Sequence, residues 1–545
     1  MSTIPEAFYE TTHTYAAKTA FTFIDRSFSY KEYNTLSNRI AHALISRGLK
    51  PGDRVAIHLP NLPQYLVFML GALKAGCIIS GLSPLASERE IELQLKDLDA
   101  AAVISFDDVF TPQVQKLVRA LPAMKAIVVT RPLDLMPLPI QFFARLLGKV
   151  PHRDIALGDR REVWFDDFMK GQSEADVLVP RFGADIAAIQ YTGGTTGNSK
   201  GAMLSHSNLL NNIRQSIAVT HPEIGSETGL SILPFFHIAG LTAALNTIVI
   251  AGAWLLIPNP RDLEFIVRQL KKYQPSLIFA VPLLYEKLLA RRDFRDLRFH
   301  KLKFAMSGAA PMSDALKAEL EKVIGVPVLE GYGMTEASPG LTVNYPGRVK
   351  AGTVGQALPD TELKLVSLGD GSEVDPGGEG QLIASGPQVM QGYWNNSGET
   401  QNTLKNRDGK TWLYTGDVAR IDGAGYVTIV DRLKDMVNVG GYKVFSVEVE
   451  AVLLQHPAIE VAAILGEKAA GEATETVKLI AQLAPAYRNA DQKGLREEII
   501  QFAREKLAPY KIPRIVDFIA AIPMTPIGKV DKKALRKLIA EGTPA

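Results

Sequence analysis

The strongest constraint on the fold is the alternation of helical and strand patterns through residues 1–180. The stretch SYKEYNTLSNRIAHALISRGL repeats its apolar residues at helical spacing and stops at Gly48. A short apolar run, DRVAIHL, and a second helical pattern, PQYLVFMLGALKAG, follow it, and AAVISF and KAIVV are typical of buried strands. Alternation of this kind predicts an α/β fold, in which helices cover largely parallel sheets.

The later part of the chain has a different texture. Beyond residue 360, the short runs ELKLVS, QLIASG and YVTIV are separated by glycine-rich turn signals, and from Lys434 onward helical and strand patterns mix again. A chain of 545 residues is also too long for one hydrophobic core. We therefore predict a large N-terminal domain over residues 1–432, with a β-rich subdomain at about 350–432, and a small α+β domain over 433–545.

Charge and cysteine content exclude several classes of protein. The 60 basic and 58 acidic residues are interleaved and leave a net charge of +2, so no nucleic-acid-binding surface is expected. The single cysteine, Cys77, excludes a disulfide framework, and its apolar neighbours predict a buried thiol. The N-terminus lacks a signal-peptide pattern. Together these features favour a reducing, cytoplasmic setting.

Two apolar segments are long enough to raise the question of whether they span or contact a membrane. The uncharged run Thr228–Pro260 is interrupted by polar, proline and glycine residues, so a buried helix plus strand is favoured over a membrane span. The proline-rich segment 132–151 is faintly amphipathic. It fits a surface helix packed on its own domain, or an interfacial segment near a lipidic substrate. Both interpretations stay open, as do association with the inner membrane surface and a homodimer.

The stretch YTGGTTGNSKG, residues 191–201, predicts a phosphate-binding loop between a strand and a short strand that leads into a helix capped near Ser205. Its glycines allow backbone N–H groups to converge on an anion, while its hydroxyl groups and Lys200 add donors and positive charge. A Walker A loop requires Gly-Lys-Ser/Thr, but here Ser199 precedes Lys200 and Gly201 follows it.

This loop resembles the signature loop of the adenylate-forming superfamily, which includes acyl-CoA and aryl-CoA synthetases, luciferases and peptide-synthetase adenylation domains. Further motifs resemble that family in the family's order: LPFFHIAG at 233–240, SGAAPM at 307–312, GYGMTE at 331–336, YTGDVARID at 414–422, DRLKDMVNVGGYKV at 431–444 and PIGKV at 526–530. Gly193 and Ser199 depart from the usual form, and Gly193 is similar to bacterial long-chain fatty-acid CoA ligases.

The resemblance implies the residues that bind nucleotide and metal. ATP phosphates would be bound by the loop residues Thr192, Gly193, Gly194, Thr195, Thr196, Gly197 and Lys200. The adenine slot would be formed by Gly308, Ala309, Ala310, Gly331 and Tyr332, and the ribose would be bound by Asp417 and Arg432. Mg²⁺ would be bound by Glu336 and Thr192, because this cation prefers oxygen ligands.

The resemblance also implies the catalytic and acceptor residues. Lys529 would bridge the attacking carboxylate and the α-phosphate, with Thr335 beside that phosphate. His237 would gate the thiol entrance, and CoA would pass Gly440 and Gly441. Lys434 would be the hinge about which a mobile C-terminal domain turns between the two steps.

The resemblance implies a ligase that activates a carboxylic acid with ATP and transfers it to CoA. The small apolar run GLTAALNTIVIAGA favours a medium- or long-chain fatty acid, because no charged residue is present for a polar substrate tail. An aryl or phenylpropanoid CoA ligase, and an acyl-AMP ligase that loads a carrier protein in trans, remain alternatives.

Overall fold

A computed structural model describes residues 2–137, 139–142, 153–192, 199–375, 377–439, 442–468, 475–525 and 530–540. The chain divides into two compact units. The first comprises Met1–Val349, Ala357–Glu362 and Ser385–Leu413. The second comprises Lys350–Gln356, Leu363–Ala384 and Tyr414–Ala545. The domain boundary near Arg432 stays a prediction.

The strands, in chain order, are β1 (Thr19–Phe23), β2 (Arg26–Ser29), β3 (Arg54–His58), β4 (Ile78–Gly81), β5 (Ala100–Phe106), β6 (Ala126–Thr130), β7 (Glu162–Trp164), β8 (Ile186–Thr192), β9 (Lys200–Ser205), β10 (Thr228–Ser231), β11 (Ala253–Leu256), β12 (Leu277–Ala280), β13 (Phe304–Ser307), β14 (Val328–Gly333), β15 (Gly340–Val343), β16 (Gln356–Ala357), β17 (Glu362–Val366), β18 (Glu379–Ser385), β19 (Gly392–Tyr393), β20 (Leu404–Arg407), β21 (Lys410–Ile421), β22 (Val427–Arg432), β23 (Val437–Val439), β24 (Tyr442–Val444), β25 (Ile459–Glu467), β26 (Thr476–Leu483) and β27 (Ile515–Phe518).

The α-helices, in chain order, are α1 (Ile4–Tyr15), α2 (Tyr30–Ser46), α3 (Pro63–Lys74), α4 (Glu88–Leu98), α5 (Pro112–Ala120), α6 (Phe165–Met169), α7 (His206–Thr220), α8 (Ile238–Val249), α9 (Leu263–Tyr273), α10 (Pro282–Leu289), α11 (Arg292–Arg295), α12 (Asp314–Ile324), α13 (Ser397–Thr403), α14 (Ser446–Leu453), α15 (Gln492–Lys506) and α16 (Lys532–Ala540).

The first unit contains two large sheets. One has the strand order β19-β9-β8-β4-β3-β5-β6-β7, and the other has the order β16-β15-β14-β13-β12-β10-β11-β1-β2. Strands β3 to β8 pair in parallel, as do β1 and β10 to β14 with their sheet neighbours. Antiparallel pairs occur at the sheet edges, including β8 with β9. The predicted α/β fold with largely parallel sheets is confirmed.

Helices α1 to α3 pack around one core that includes Phe8, Phe21 and Tyr33. Helix α2 begins at a capping box, in which Ser29 and Glu32 each accept a backbone hydrogen bond, and it ends shortly before Gly48 as predicted. Every residue of α3 is buried, including Lys74 at its end. The Lys74 ammonium donates to Asn34 Oδ1 at 2.6 Å, to Ser37 Oγ at 2.9 Å and to Asn38 Oδ1 at 2.7 Å. This network stabilises the contact between α2 and α3.

The segment Thr228–Pro260 folds as strand β10, helix α8 and strand β11. This confirms the prediction of buried helix and strand. Across the described ranges, no helix is long and apolar enough to cross a membrane. Cys77 is buried as predicted, and burial raises the pKa of its thiol to about 12. The segment 132–151 is described only at 132–137 and 139–142, so the two interpretations of it lie largely outside the described residues.

The second unit contains the predicted short strands. In it, β18 lies between β17 and β21, and β22 pairs antiparallel with β21. Strands β25, β26 and β27 form a separate sheet, and the apolar residues of this sheet, α14 and α15 share one core. The prediction of a small C-terminal domain in a mixed α/β chain is confirmed.

Candidate active site

The predicted phosphate-binding loop connects two antiparallel strands, β8 and β9. Thr192, at the end of β8, is paired with Lys200, at the start of β9. Ser199 Oγ donates to the Thr192 carbonyl at 2.5 Å, and Thr192 Oγ1 donates to the Lys200 carbonyl at 3.5 Å. These bonds close the base of the loop. The five remaining predicted loop residues, Gly193, Gly194, Thr195, Thr196 and Gly197, lie outside the described residues.

The hairpin continues into α7, whose first turn is capped by Ser205 as predicted. Its outer strand, β9, also pairs with β19, with Gly392 opposite Met203 and Tyr393 opposite Ala202. Gly392 has φ +139°, and a Cβ there would lie 2.8 Å from Thr400 Cγ2. Glycine is therefore required at this position, since it lets β19 approach its own following helix.

Pairing with β19 brings two unpredicted residues to Lys200. The Lys200 ammonium forms an ion pair with Glu399 of α13 and lies 5.4 Å from the centroid of the Tyr393 ring. The Tyr393 phenol donates a hydrogen bond of 2.6 Å to Glu336 Oε1. Burial, followed by the charge of Glu336, raises the pKa of Tyr393. The phenol consequently stays protonated and remains a donor to the carboxylate.

Glu336 lies in a short turn, Thr335–Ala337, and only 7% of it is exposed. Both β8 and β9 pack against this turn. The Glu336 carbonyl accepts the Met390 N–H at 2.8 Å, which fixes the backbone of the turn. The first unit therefore brings together Thr192, Lys200 and Glu336, which the sequence places far apart.

Buried amides fix the chain that follows Glu336. Asn212 of α7 accepts the Gly340 N–H at 3.0 Å and donates to the Gly340 carbonyl at 2.9 Å. Gln388 donates to the same carbonyl at 3.3 Å. Asn208 donates to the carbonyls of Pro387 and Val389 at 2.8 and 2.9 Å. Because a buried amide is costly unless it is paired, these contacts specify one conformation of the loops around Glu336.

The residues predicted to form the adenine slot lie just after β13 and at the end of its parallel neighbour, β14. Ser307 of β13 is paired with Glu330 of β14, so Gly308 and Gly331 lie side by side. A Cβ at Gly308 would lie 3.4 Å from the Gly331 carbonyl oxygen. Ala309 has φ +66°, a left-handed conformation that is rare for alanine and that is common at ligand sites. Ala310 and Tyr332 are partly buried beside them.

His237 precedes α8, and the loop before it is held by three buried side chains. Asn61 accepts the Phe235 N–H at 2.9 Å and donates to the Leu233 carbonyl at 2.9 Å. Tyr65 donates to the Phe235 carbonyl at 2.9 Å, and Gln190 donates to the Phe236 carbonyl. These contacts fix the backbone on both sides of Phe236.

One nitrogen of the His237 imidazole, Nε2, is buried. Nε2 has no hydrogen-bond partner in the described part of the chain. Desolvation lowers the pKa of His237 to about 4, so the ring is neutral near pH 7. Its ring centroid lies 4.7 Å from that of Phe236. This arrangement presents a neutral imidazole beside the small apolar residues of α8.

The second unit carries the predicted ribose-binding pair. Asp417 of β21 is directly opposite Arg432 of β22, with Oδ1 and Nε 3.5 Å apart. Asp417 is 9% exposed, whereas Arg432 is exposed. Lys434, the predicted hinge, lies in an exposed turn just after β22. Gly440, Gly441 and Lys529 lie outside the described residues.

Comparison with known proteins identifies the family. The family model described as AMP-binding enzyme matches residues 8–394, and the AMP-binding enzyme C-terminal domain matches residues 448–529. The chain belongs to the AMP-binding enzyme family. The resemblance to the adenylate-forming superfamily is thereby confirmed.

Curated relatives of this AMP-binding enzyme match nearly its whole length. It is 36% identical to a long-chain-fatty-acid–CoA ligase of Escherichia coli O157:H7, over 97% of this chain and 93% of the relative. It is 36% identical to the same enzyme of Bacillus subtilis strain 168, over 96% of this chain and 92% of the relative. The crystal structure of ATP-bound MatB from Rhodopseudomonas palustris matches with a TM-score of 0.84 at 27% identity, over 98% of this chain and 99% of that one.

Several residues around the site of this AMP-binding enzyme were missed by the sequence motifs. Tyr393 and Glu399 contact the predicted phosphate and metal ligands, and Asn61 and Gln190 hold the His237 loop. Their sequence signal is weak, because a lone amide or tyrosine between apolar residues is typical of any core. The pairing of β19 with β9 identifies Tyr393 and Glu399, and hydrogen bonds to the His237 loop identify Asn61 and Gln190.

Proposed function

We propose that this enzyme is an ATP-dependent acyl-CoA ligase that activates a medium- or long-chain fatty acid. The acid and ATP would form an acyl-adenylate and pyrophosphate, and CoA would then form the thioester and release AMP. The observation that carries this proposal lies in the first unit, where Tyr393 contacts both Lys200 and Glu336, and Thr192 is paired with Lys200 at the base of the phosphate-binding loop. The names of the curated relatives support the choice of a fatty acid.

In the first step, a carboxylate oxygen attacks the α-phosphorus and the bond to the bridging oxygen of pyrophosphate breaks. Negative charge accumulates on the phosphate oxygens, so fixed cations and N–H donors lower the barrier. Lys200 and the loop it closes would bind the β- and γ-phosphates. Thr335 would contact the α-phosphate, and Lys529 would hold the attacking carboxylate against it.

Mg²⁺ is the metal that the family implies. It is usually bound by one or two carboxylates together with substrate phosphates. Glu336 and the Thr192 hydroxyl fit that requirement, because one buried carboxylate lies beside the strand that carries the phosphate-binding loop. When bound, Mg²⁺ would neutralise phosphate charge and orient the leaving group.

The remaining nucleotide contacts are assigned by chemistry and motif. Asp417 can accept hydrogen bonds from both ribose hydroxyls, and Arg432 opposite it adds a donor. The segment just after β13 and the end of β14 offer Gly308, Gly331 and Tyr332 for a flat base. These roles are proposals that substitution can test one at a time.

In the second step, the CoA sulfur attacks the acyl carbon, the bond to AMP breaks, and the thiol proton passes to water. We propose that rotation about Lys434 removes Lys529 and brings Gly440 and Gly441 to the thiol. His237 would gate the entrance to this reaction. Because its imidazole is neutral, it places no charge next to a hydrocarbon chain.

The acyl chain would lie along α8 and the loop before it. Helix α8 and the loop before it contain small apolar residues, including the half-buried Ala239 and the buried Ala243, and no charged residue. Such a surface favours a hydrocarbon over a dicarboxylic or amino acid. Membrane-surface association and a homodimer stay predictions.

A panel of carboxylic acids tests this proposal. Pyrophosphate release would be measured with ATP and Mg²⁺ for fatty, aryl and phenylpropanoid acids, with and without CoA. We expect release with fatty acids of medium or long chain, and conversion of CoA in equal amount. Faster release with aryl acids would redirect the assignment to an aryl-CoA ligase. Release without CoA consumption would indicate loading of a carrier protein, and no release with any acid would contradict ligase activity.

A further inference from the structure

The two charged groups predicted to bind phosphate and metal share one buried neighbour, Tyr393. Its ring lies 5.4 Å from the Lys200 ammonium, and its phenol donates to Glu336 Oε1 at 2.6 Å. Only 6% of Tyr393 is exposed. An aromatic face attracts a cation, while a phenol stabilises a carboxylate. One side chain therefore contacts both the positive and the negative group of the site.

Glu399 completes the arrangement from the neighbouring helix. Its carboxylate pairs with the Lys200 ammonium, and its backbone N–H donates to the Asn396 side chain at 3.1 Å, which caps α13. The Thr400 hydroxyl oxygen accepts the Tyr393 N–H at 2.8 Å. Tyr393 and Glu399 are thus linked by local hydrogen bonds, so the two groups have a fixed relation to each other.

The ion pair leaves Lys200 able to bind phosphate. An ammonium has three donors, and the pair with Glu399 uses part of this capacity. A lysine side chain is flexible, and ordering it costs conformational entropy. A carboxylate on one side and an aromatic face on the other restrict Lys200 before any nucleotide binds. The charged or titratable groups around Tyr393 are Lys200, Glu336 and Glu399.

We propose that Glu399 and Tyr393 are positioning residues of the nucleotide site. Glu399 holds the Lys200 ammonium in place for the phosphates of ATP, and Tyr393 holds the Glu336 carboxylate in place for the metal that accompanies them. This inference rests on the proposed function only in taking ATP with Mg²⁺ as the ligand. It requires no assumption about the acid or the thiol.

Equilibrium binding of ATP, measured by isothermal titration calorimetry without acid or CoA, tests the roles directly. Glu399→Gln removes the charge but keeps the shape, and we expect it to weaken ATP binding about fivefold, the upper range for a partly exposed ion pair. Tyr393→Phe keeps the ring under Lys200 and removes the hydrogen bond to Glu336. We expect about tenfold weaker binding with Mg²⁺, as for other partners of metal ligands, and less than twofold change in EDTA.

Double mutants distinguish positioning from a general structural role. In a Lys200→Gln background, Glu399→Gln should have no further effect, and in a Glu336→Gln background Tyr393→Phe should have none, because each acts through the residue already changed. Additive effects in either background, tighter ATP binding by Glu399→Gln, or an equal effect of Tyr393→Phe in EDTA would overturn the proposal. Glu399→Asp, which keeps the charge, should recover part of the lost affinity.

A matched control and a separate readout keep the outcomes distinct. Asn402→Ala changes an exposed residue of the same helix and should leave ATP binding and thermal unfolding unchanged. If the double mutants are non-additive but no acid releases pyrophosphate, the positioning roles stand and the ligase assignment fails. If fatty acids release pyrophosphate but the double mutants are additive, the ligase assignment stands and the positioning roles fail.

Discussion

Acid should loosen the N-terminal helix through His206. This residue is 2% exposed, and its Nδ1 accepts the N–H of Ile4, the first residue of α1, at 3.2 Å. Burial lowers the pKa of His206 from 6.5 to about 4, with Arg181 contributing in the same direction. Protonation would also remove the acceptor that Ile4 requires. The folded state therefore holds the imidazole neutral.

The magnitude follows from linkage. Between pH 6.5 and pH 4 the folded state binds fewer protons at His206 than the opened state, so stability falls as the pH falls through this window. Above pH 6.5 the imidazole is neutral in both states, so the His206 contact makes its full contribution to the stability of α1. One pKa unit corresponds to about 1.4 kcal/mol, so a change from pH 7.5 to pH 5 should lower the free energy of opening of α1 by about 2 kcal/mol. That cost corresponds to about a 30-fold increase in opening.

Hydrogen exchange of a peptide covering α1 measures this opening. Protection would be expressed relative to the unstructured peptide at the same pH, which removes the intrinsic pH dependence of exchange. We expect wild-type protection to fall about 30-fold from pH 7.5 to pH 5. In His206→Gln, whose amide does not titrate, the fall should be much smaller. His13→Gln, an exposed substitution on the same helix, is the control. An equal fall in wild type and His206→Gln would refute the reasoning.

Three further substitutions have defined outcomes. Asn61→Ala leaves buried backbone groups of the His237 loop unpaired, so it should lower the free energy of unfolding by about 2–3 kcal/mol. It should also raise the KM for the acid more than the KM for ATP. An unchanged ratio of the two KM values would contradict the role of Asn61 in positioning the loop. Lys74→Met leaves the buried acceptors between α2 and α3 without a donor, so it should lower the free energy of unfolding by about 3 kcal/mol and shift the midpoint of the first urea transition to a lower urea concentration. At urea concentrations below that midpoint, kcat should be retained. An unchanged midpoint would show that the network does not stabilise the fold. Lys529→Ala should cripple adenylate formation and largely spare thioester formation from supplied acyl-adenylate, whereas Lys533→Ala should affect neither; equal loss of both steps in Lys529→Ala would contradict the two-conformation proposal.

Local sequence signals predicted much of the fold. The apolar spacing of α2 and the glycine after it predicted a helix that ends near Gly48. The runs that became β5 and β6 are almost entirely apolar, which is typical of buried parallel strands. Strand order was not predictable in the same way, because it depends on contacts between segments far apart in the chain. The position of β1 beside β11 is one example.

In the candidate site, too, local sequence patterns predicted some residues, whereas others depend on contacts between distant segments. The glycine-rich loop predicted Lys200 as a phosphate ligand, and the resemblance of GYGMTE to the family motif implied Glu336 as a metal ligand. They could not identify Tyr393 and Glu399, which reach Lys200 only through the pairing of β19 with β9. The roles of the buried amides Asn212 and Gln388 also could not be predicted from the sequence, because they depend on the backbone groups to which these side chains hydrogen-bond. Tertiary pairing, rather than local pattern, decides these contacts.

The most direct test of the proposed function follows the oxygen atoms of the acid. If the carboxylate attacks the α-phosphorus, one of its oxygens must remain with AMP after CoA displaces it. A fatty acid labelled with ¹⁸O at both carboxyl oxygens would be converted with ATP and CoA, and the products weighed by mass spectrometry. The proposal predicts one ¹⁸O in each AMP formed and one in each thioester. Label in inorganic phosphate, or AMP without label, would contradict an acyl-adenylate intermediate.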